Sequence, residues 1–255
     1  MRRRRHVIRQ RILITGASSG LGAGMARQFA AEGRHLALCA RRTDLLNELK
    51  DSLSQRYPDI NIAVAGLDVN DHERVPEVFG ALSDAIGGID RVIVNAGLGE
   101  GAPLGSGDPR VNTAIIETNL VAALVQTETA LEMFRKSGSG HLVLMSSIVG
   151  ARGIPGIWAA YAASKAGLRS VGESLRAEHA TGPIKVSVIE PGYIESEMNP
   201  RSGRKMLMVD NATGVKAIVG AIERERGRAV VPWWPWAPIV QLLRFIPLSM
   251  LTRFV

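Results

Sequence analysis

The chain has 255 residues, 46% of them hydrophobic and 22% charged, which suits one sizeable α/β domain with a buried core. Its single cysteine, Cys39, lies in the apolar run 36–40, which excludes an intramolecular disulfide and predicts a buried, reduced thiol. Lys and Arg number 31 against 24 Asp and Glu, but Arg2, Arg3, Arg4, Arg5, Arg9 and Arg11 supply six of them. Without that arm the balance is 25 to 24, so the excess charge does not describe a nucleic-acid-binding surface.

Residues 1–10 form the basic arm, expected to be solvated or drawn to anionic headgroups. No apolar stretch follows its arginines before Ile12, so it does not read as a signal peptide. From residue 11 short apolar runs alternate with segments of helical period, the pattern of βαβ units around a parallel sheet. Strands are predicted at 11–15, 35–40, 61–67, 91–95, 141–146, 185–190 and 228–231. Helices are predicted at 21–32, 44–56, 73–86, 112–136, 161–180 and 211–225, with Asp71 and Asp210 as N-caps. Several strands are apolar on both faces, which predicts a sheet covered on both sides. The fold class is therefore α/β: one doubly wound Rossmann-type domain over 11–232, with a mostly seven-stranded parallel sheet flanked by helices.

Ligand-binding loops in such a sheet lie at the carboxyl ends of the strands, here 98–110, 151–160 and 193–210. Ile154, Pro155, Ile157 and Trp158 offer an apolar wall, and Met198, Met206, Leu207 and Met208 an adaptable apolar lining. The last segment, 233–255, is an apolar tail rich in Trp and Pro, containing Trp233, Trp234 and Trp236. Arg244 and three prolines break it well short of the roughly 20 apolar residues that a membrane span needs. It reads as a cover for the core, a lid over the substrate site, or a segment lying in a membrane interface.

The chemistry begins where the first strand runs into Gly16, Ala17, Ser18, Ser19, Gly20, Leu21 and Gly22. A strand, a glycine-rich turn and a helix N-terminus together aim backbone N–H groups at a pyrophosphate. Gly16 permits the turn, Gly20 and Gly22 allow close approach, and Ser18 and Ser19 can donate to phosphate oxygens. The second strand ends at Ala40 with Arg41 and Arg42, where a carboxylate would favour an unphosphorylated ribose. Two guanidiniums favour a 2′-phosphate, so NADP(H) is expected over NAD(H). Far downstream, Tyr161 and Lys165 stand four apart on a predicted helix and share a face. A cation beside a phenol is expected to pull the phenol's pKa toward neutrality and make it a general acid or base. The five histidines have no ligand spacing and no Gly-x-Ser-x-Gly is present, which argues against a catalytic metal and a serine hydrolase.

Taken in order, Thr-Gly-x-x-x-Gly-x-Gly at 15–22, Asn-Ala-Gly at 95–97, Asn119, Ser-Ser at 146–147, Tyr-x-x-x-Lys at 161–165 and Pro-Gly at 191–192 resemble the short-chain dehydrogenase/reductase family. The resemblance implies that Tyr161 exchanges a proton with the substrate oxygen while Ser147 hydrogen-bonds that oxygen. It implies that Lys165 holds the nicotinamide ribose and lowers the Tyr161 pKa, and that Asn119 positions a water behind Lys165. It further implies that Asp68 and Val69 hold adenine, that Asn95, Ala96, Gly97, Pro191 and Gly192 border the cofactor, and that Ile194 and Ser196 receive the carboxamide. Three departures stand out. Ser147 and Tyr161 are one residue further apart than usual, which leaves Ser146 as a substitute donor; Ser196 stands where threonine is common; and Val94-Asn95 replaces Asn-Asn.

The expected function is an NADPH-dependent carbonyl reductase or alcohol dehydrogenase acting on an apolar, lipid-like ketone, aldehyde or alcohol. The alternative is a non-catalytic NADP(H)-binding sensor or interaction module. The expected setting is cytoplasmic, with peripheral membrane contact through the arm and tail left open. Homodimers or homotetramers are expected because the family pairs through the helices corresponding to 112–136 and 161–180.

Overall fold

The computed structural model describes residues 8–195, 207–243 and 245–247. Seven parallel strands, β1 (Arg11–Thr15), β2 (His35–Ala40), β3 (Ile62–Gly66), β4 (Arg91–Val94), β5 (Gly140–Met145), β6 (Ile184–Pro191) and β7 (Arg228–Val231), pair in the order β3-β2-β1-β4-β5-β6-β7. Chain order reverses between β1 and β4, which opens a crevice at their carboxyl ends.

Alternation along β1 decides which layer each side chain joins. Ile12 and Ile14 face α1 (Gly20–Ala31), α2 (Thr43–Arg56) and α7 (Asn211–Glu223), in a core with Phe29, Leu46 and Ile218. Leu13 faces the opposite layer, with Phe79 of α3 (Arg74–Ile86), Phe134 of α5 (Ala122–Ser137) and Leu168 of α6 (Ala159–Glu178). Both faces of the sheet are therefore covered, as two-sided apolar strands require. Cys39 is fully buried, and burial pushes its thiol up to about 12, so it is an inert core group.

Two helix starts differ in how they match expectation. Asp210 caps α7, its carboxylate accepting from Thr213 N at 2.8 Å. Asp71 lies ahead of α3, which starts at Arg74, and contributes only its carbonyl to Arg74 N at 3.2 Å. The predicted helix 112–136 is not uniform. It comprises α4 (Pro109–Ile116), a π-helical turn (Glu117–Val121) and α5, so one extra residue is inserted in a turn whose Thr118 lines the cleft.

Trp233–Leu243 forms α8, kinked at Trp234, which packs on β7 and on the 3₁₀ turn Ile148–Ala151. No helix among the described residues is long and apolar enough to cross a membrane.

Candidate active site

At the end of β1 the backbone of Gly16 turns with φ +65°, a conformation that L side chains rarely adopt. The approach of α1 to this turn is tight. A Cβ on Gly22 would overlap the Gly16 carbonyl and lie 2.8 Å from Asn95 Nδ2. Thr15 and Asn95 clamp the turn to β4: Thr15 Oγ1 accepts from Asn95 N at 3.0 Å and Ala96 N at 3.1 Å, and Asn95 Nδ2 donates to Thr15 O at 2.9 Å. Asn95 thus borders the crevice, but its amide is committed to the protein's own backbone. Thr15 opens the glycine motif, yet its clamping role was not legible because it depends on pairing with β4.

One continuous cleft runs from this turn across the switch point. Gly16, Ser18, Ser19, Gly20, Leu21 and Gly22 line it beside Arg41, Arg42, Asp68 and Val69. Asn95, Ala96, Gly97, Ser147, Tyr161, Lys165, Pro191, Gly192 and Ile194 line the remainder. Arg42 Nη2 donates to Ser19 Oγ, which ties the cation at the end of β2 to the serine at the α1 N-terminus. Asp68 accepts from Asn70 N at 3.0 Å, and Asn70 Nδ2 donates to Thr118 Oγ1 at 3.1 Å, joining the β3 loop to the π-helical turn. The expectations for Ser196, Met198 and Met206 lie outside the described residues. Around that segment, Ile194 bridges Val209, and Asn211 Nδ2 donates to Glu195 O at 3.0 Å.

The groups suited to proton transfer meet where α6 crosses the end of β5. The Ser147 side chain stands beside Tyr161, close enough to pull its pKa down, despite the extra residue between them. Two short 3₁₀ turns, Ile148–Ala151 and Gly156–Trp158, lie in the segment between them. Ser146 faces away, donating through Oγ to Lys165 O at 2.8 Å, so the geometry selects Ser147 over Ser146 as the residue beside the phenol. Lys165 is buried, and its Nζ donates to Met145 O at 2.9 Å while standing 5.7 Å from the Tyr161 ring centroid.

The pKa expectation is corrected here. Burial raises the Tyr161 phenol above its usual value, partly opposed by the Ser147 side chain and reinforced by Tyr193. Burial also lowers Lys165 to about 8. Sequence spacing places the cation beside the phenol, but desolvation is the larger effect for both groups.

Asn119 sits behind the cleft wall. Its Oδ1 accepts from Leu98 N at 2.7 Å, and its Nδ2 donates to Leu98 O at 2.9 Å and Ser164 Oγ at 3.3 Å. The π-helical turn directs this residue inward, and Gly97 keeps the space toward Lys165 open. A Cβ there would lie 3.0 Å from Asn119 Oδ1 and 3.6 Å from Lys165 Nζ. The amide thus acts first as a brace for the Leu98 peptide.

A glycine-lined crevice at the switch point of a doubly wound sheet, with a phenol and an ammonium at its other end, defines a Rossmann-type nucleotide-binding oxidoreductase. The family model for short chain dehydrogenases matches residues 10–207, and the chain belongs to that family. An uncharacterized oxidoreductase of Mycobacterium tuberculosis is 73% identical over 248 residues, covering 97% of this chain and 98% of that one. Among solved structures, an alcohol dehydrogenase of Thermococcus sibiricus complexed with 5-hydroxy-NADP is similar with a TM-score of 0.77 at 24% identity. That match covers 87% of this chain and 95% of the other. A short chain dehydrogenase/reductase of Burkholderia phymatum in complex with NAD has a TM-score of 0.80 at 20% identity, covering 91% and 92%. The same fold thus accompanies both kinds of dinucleotide.

Proposed function

We propose that the protein interconverts an apolar ketone or aldehyde and its alcohol with NADP(H), using Tyr161 as general acid and base. The observation that carries this reading is that Tyr161, Ser147 and Lys165 line the same cleft as the glycine-rich turn. The turn fits a dinucleotide. Gly22 lets α1 pack directly against the Gly16 carbonyl, and Ser18 and Ser19 stand at the positive end of α1. Ala40 followed by exposed Arg41 and Arg42 favours a phosphorylated ribose. When bound, the nicotinamide supplies or accepts the hydride.

Tyr161 gives its phenolic proton to the carbonyl oxygen in reduction and recovers it in oxidation. Its raised pKa keeps that proton in place at neutral pH. Ser147 orients the phenol and donates to the same oxygen as negative charge develops there. Lys165, held by the Met145 carbonyl, supplies the positive charge that favours phenolate once the proton has left. Asn119 positions the Leu98 peptide beside this group.

Titration with NADPH and NADH, followed by turnover of ketones and aldehydes, tests the reading. NADPH is expected to bind more tightly, and Arg42→Ala to reduce that preference by about 10- to 100-fold, the range of a charged hydrogen bond. Equal affinity for NADH would remove the role given to Arg41 and Arg42. Tyr161→Phe is expected to lower kcat by roughly two to four orders of magnitude with cofactor affinity retained. A non-catalytic sensor would instead bind NADPH, turn over nothing and show no effect of Tyr161→Phe.

We also infer a homodimer or homotetramer through α5 and α6, because Ala163, Ala166 and Ser170 make a small-residue exposed face on α6. Light scattering of the purified protein tests it, and a monomer would remove it. Exposed Trp233, Trp234, Leu242 and Phe245 support peripheral membrane contact. Retention of the full-length protein in the supernatant with anionic vesicles would remove that reading.

A further inference from the structure

An aromatic tier crosses the proton-transfer end of the cleft. Trp158 stands edge-on to Tyr161, with ring centroids 5.9 Å apart and planes at 73°. Tyr193, 40% exposed, also lines the cleft, close enough to Tyr161 to influence it electrostatically. Tyr193 is in turn edge-on to Trp236 of α8, with centroids 5.1 Å apart and planes at 79°.

Trp236 is 4% exposed and packs with Ile148 and Val240. Its indole lies directly against Gly192, where a Cβ would overlap Nε1 and approach Cε2 to 2.7 Å. The indole nitrogen is buried without a hydrogen-bond partner among the described residues, so shape rather than polarity defines this contact.

We propose that Tyr193, braced by Trp236, is a specificity-determining residue that selects planar aryl ketones and aldehydes, which makes α8 part of the substrate site. This rests on the carbonyl–alcohol reading above. A reacting carbonyl must bring its oxygen to Tyr161, and Trp158 and Tyr193 both border the space from which it approaches. An aryl ring conjugated to the carbonyl is coplanar with it, so the same pose offers the ring's edge and face to these aromatics. An alkyl chain of equal carbon number offers no such quadrupole contact and loses more rotational freedom on binding. Tyr193 follows Gly192 directly past the end of β6, and its ring rests against the Trp236 indole.

The test compares acetophenone with 2-octanone, two ketones of equal carbon number, in wild type, Tyr193→Ala, Trp236→Ala and Trp236→Phe. Wild type is expected to prefer acetophenone in kcat/KM by about tenfold, the size of one aromatic contact. Tyr193→Ala and Trp236→Ala should bring the ratio near one, through KM more than kcat, with NADPH affinity held within about twofold. Trp236→Phe should restore most of the preference, because the indole N–H has no partner to lose. An unchanged ratio in both alanine variants, or a Phe variant as impaired as the Ala variant, would overturn the proposal.

Should wild type reduce neither ketone, the function reading fails, and binding then decides this one separately. In 5-fluorotryptophan-labelled protein saturated with NADPH, the Trp236 resonance, assigned by its loss in Trp236→Phe, is expected to shift with acetophenone and not in Tyr193→Ala. Absence of that shift in wild type would overturn the aromatic site.

Discussion

Tyr161 and Lys165 are moved in opposite directions by the same burial, and each shift favours the neutral side chain. For reduction this has a definite sign. Tyr161 remains a proton donor through neutral pH, while Lys165 loses its charge as pH rises through about 8. The reductive rate is therefore expected to hold across neutrality and fall above that point, with the alkaline limb moved upward in Lys165→Arg. A pH profile of kcat/KM checks this, and an alkaline limb unchanged in Lys165→Arg would assign it elsewhere. The depressed Lys165 pKa also has a stability consequence. Relative to the ordinary 10.5, the folded state releases the proton more readily, so stability rises with pH between about 8 and 10.5. At pH 7 the charge costs the fold about 3 kcal/mol, from which about 1 kcal/mol for the Met145 hydrogen bond must be subtracted. Lys165→Met should accordingly be inactive yet more stable by roughly 2 kcal/mol in denaturant titrations. The pairing of these two residues was legible because residues four apart on a helix must share a face. The dominance of desolvation was not, because it depends on everything packed around them.

The strand–turn–helix from β1 to α1 is the element that sequence resolves best, since its glycines answer local geometric needs. Gly22→Ala is expected to fold with reduced stability and to lose most NADPH affinity, because the added methyl must displace the Gly16 carbonyl or Asn95. Calorimetric binding with a parallel melting curve separates the two effects, and normal affinity would show that the turn tolerates the displacement. The π-helical turn at Glu117–Val121 was hidden for a physical reason. Apolar periodicity over 112–136 averages across several turns, and one inserted residue shifts the phase without erasing the pattern. Yet that insertion carries Thr118 toward Asn70 and Asn119 toward Leu98. Ser146 and Ser147 show a similar limit. They are adjacent and chemically equal, and strand alternation at the end of β5 sends one to the Lys165 carbonyl and the other to Tyr161.

At the scale of the molecule, a buried polar network opposite the active site joins the chain's beginning to its later helices. Arg91 is fully buried, donating to His141 Nδ1 at 2.9 Å and to Glu223 Oε1 at 2.7 Å, while Arg9 reaches Glu225 Oε1 at 2.8 Å. His141 Nε2 meets Ser187 Oγ at 2.8 Å and, with Nδ1 accepting from Arg91, is assigned as the donor. Burial, then Arg91 and Arg9, hold the His141 pKa well below 6.5, with the Glu225 carboxylate 3.9 Å away. Because the folded pKa is depressed, this contribution to stability is complete above about 6.5 and is lost as pH falls. Melting temperature is expected to drop between pH 7.5 and 5, and to drop less in His141→Gln. Equal slopes would exclude His141 as the cause. Arg91→Ala is expected to cost about 2 to 3 kcal/mol, since Glu223 loses its buried partner and keeps only Arg34, at 3.6 Å.

The sequence by itself determined the fold class, the succession of seven strands, the glycine-rich turn, the Tyr161–Lys165 pairing and the family. Each follows from spacing within one element or from motifs in order. Only the tertiary structure decided that Ser147 rather than Ser146 meets the phenol, that Asn95 and Asn119 brace backbone, and that burial overrides the lysine at Tyr161. It also decided that Trp236 of the tail lies beneath Gly192 and Tyr193. These are contacts and desolvation effects between segments distant along the chain, and no local period encodes which distant surface a side chain will meet.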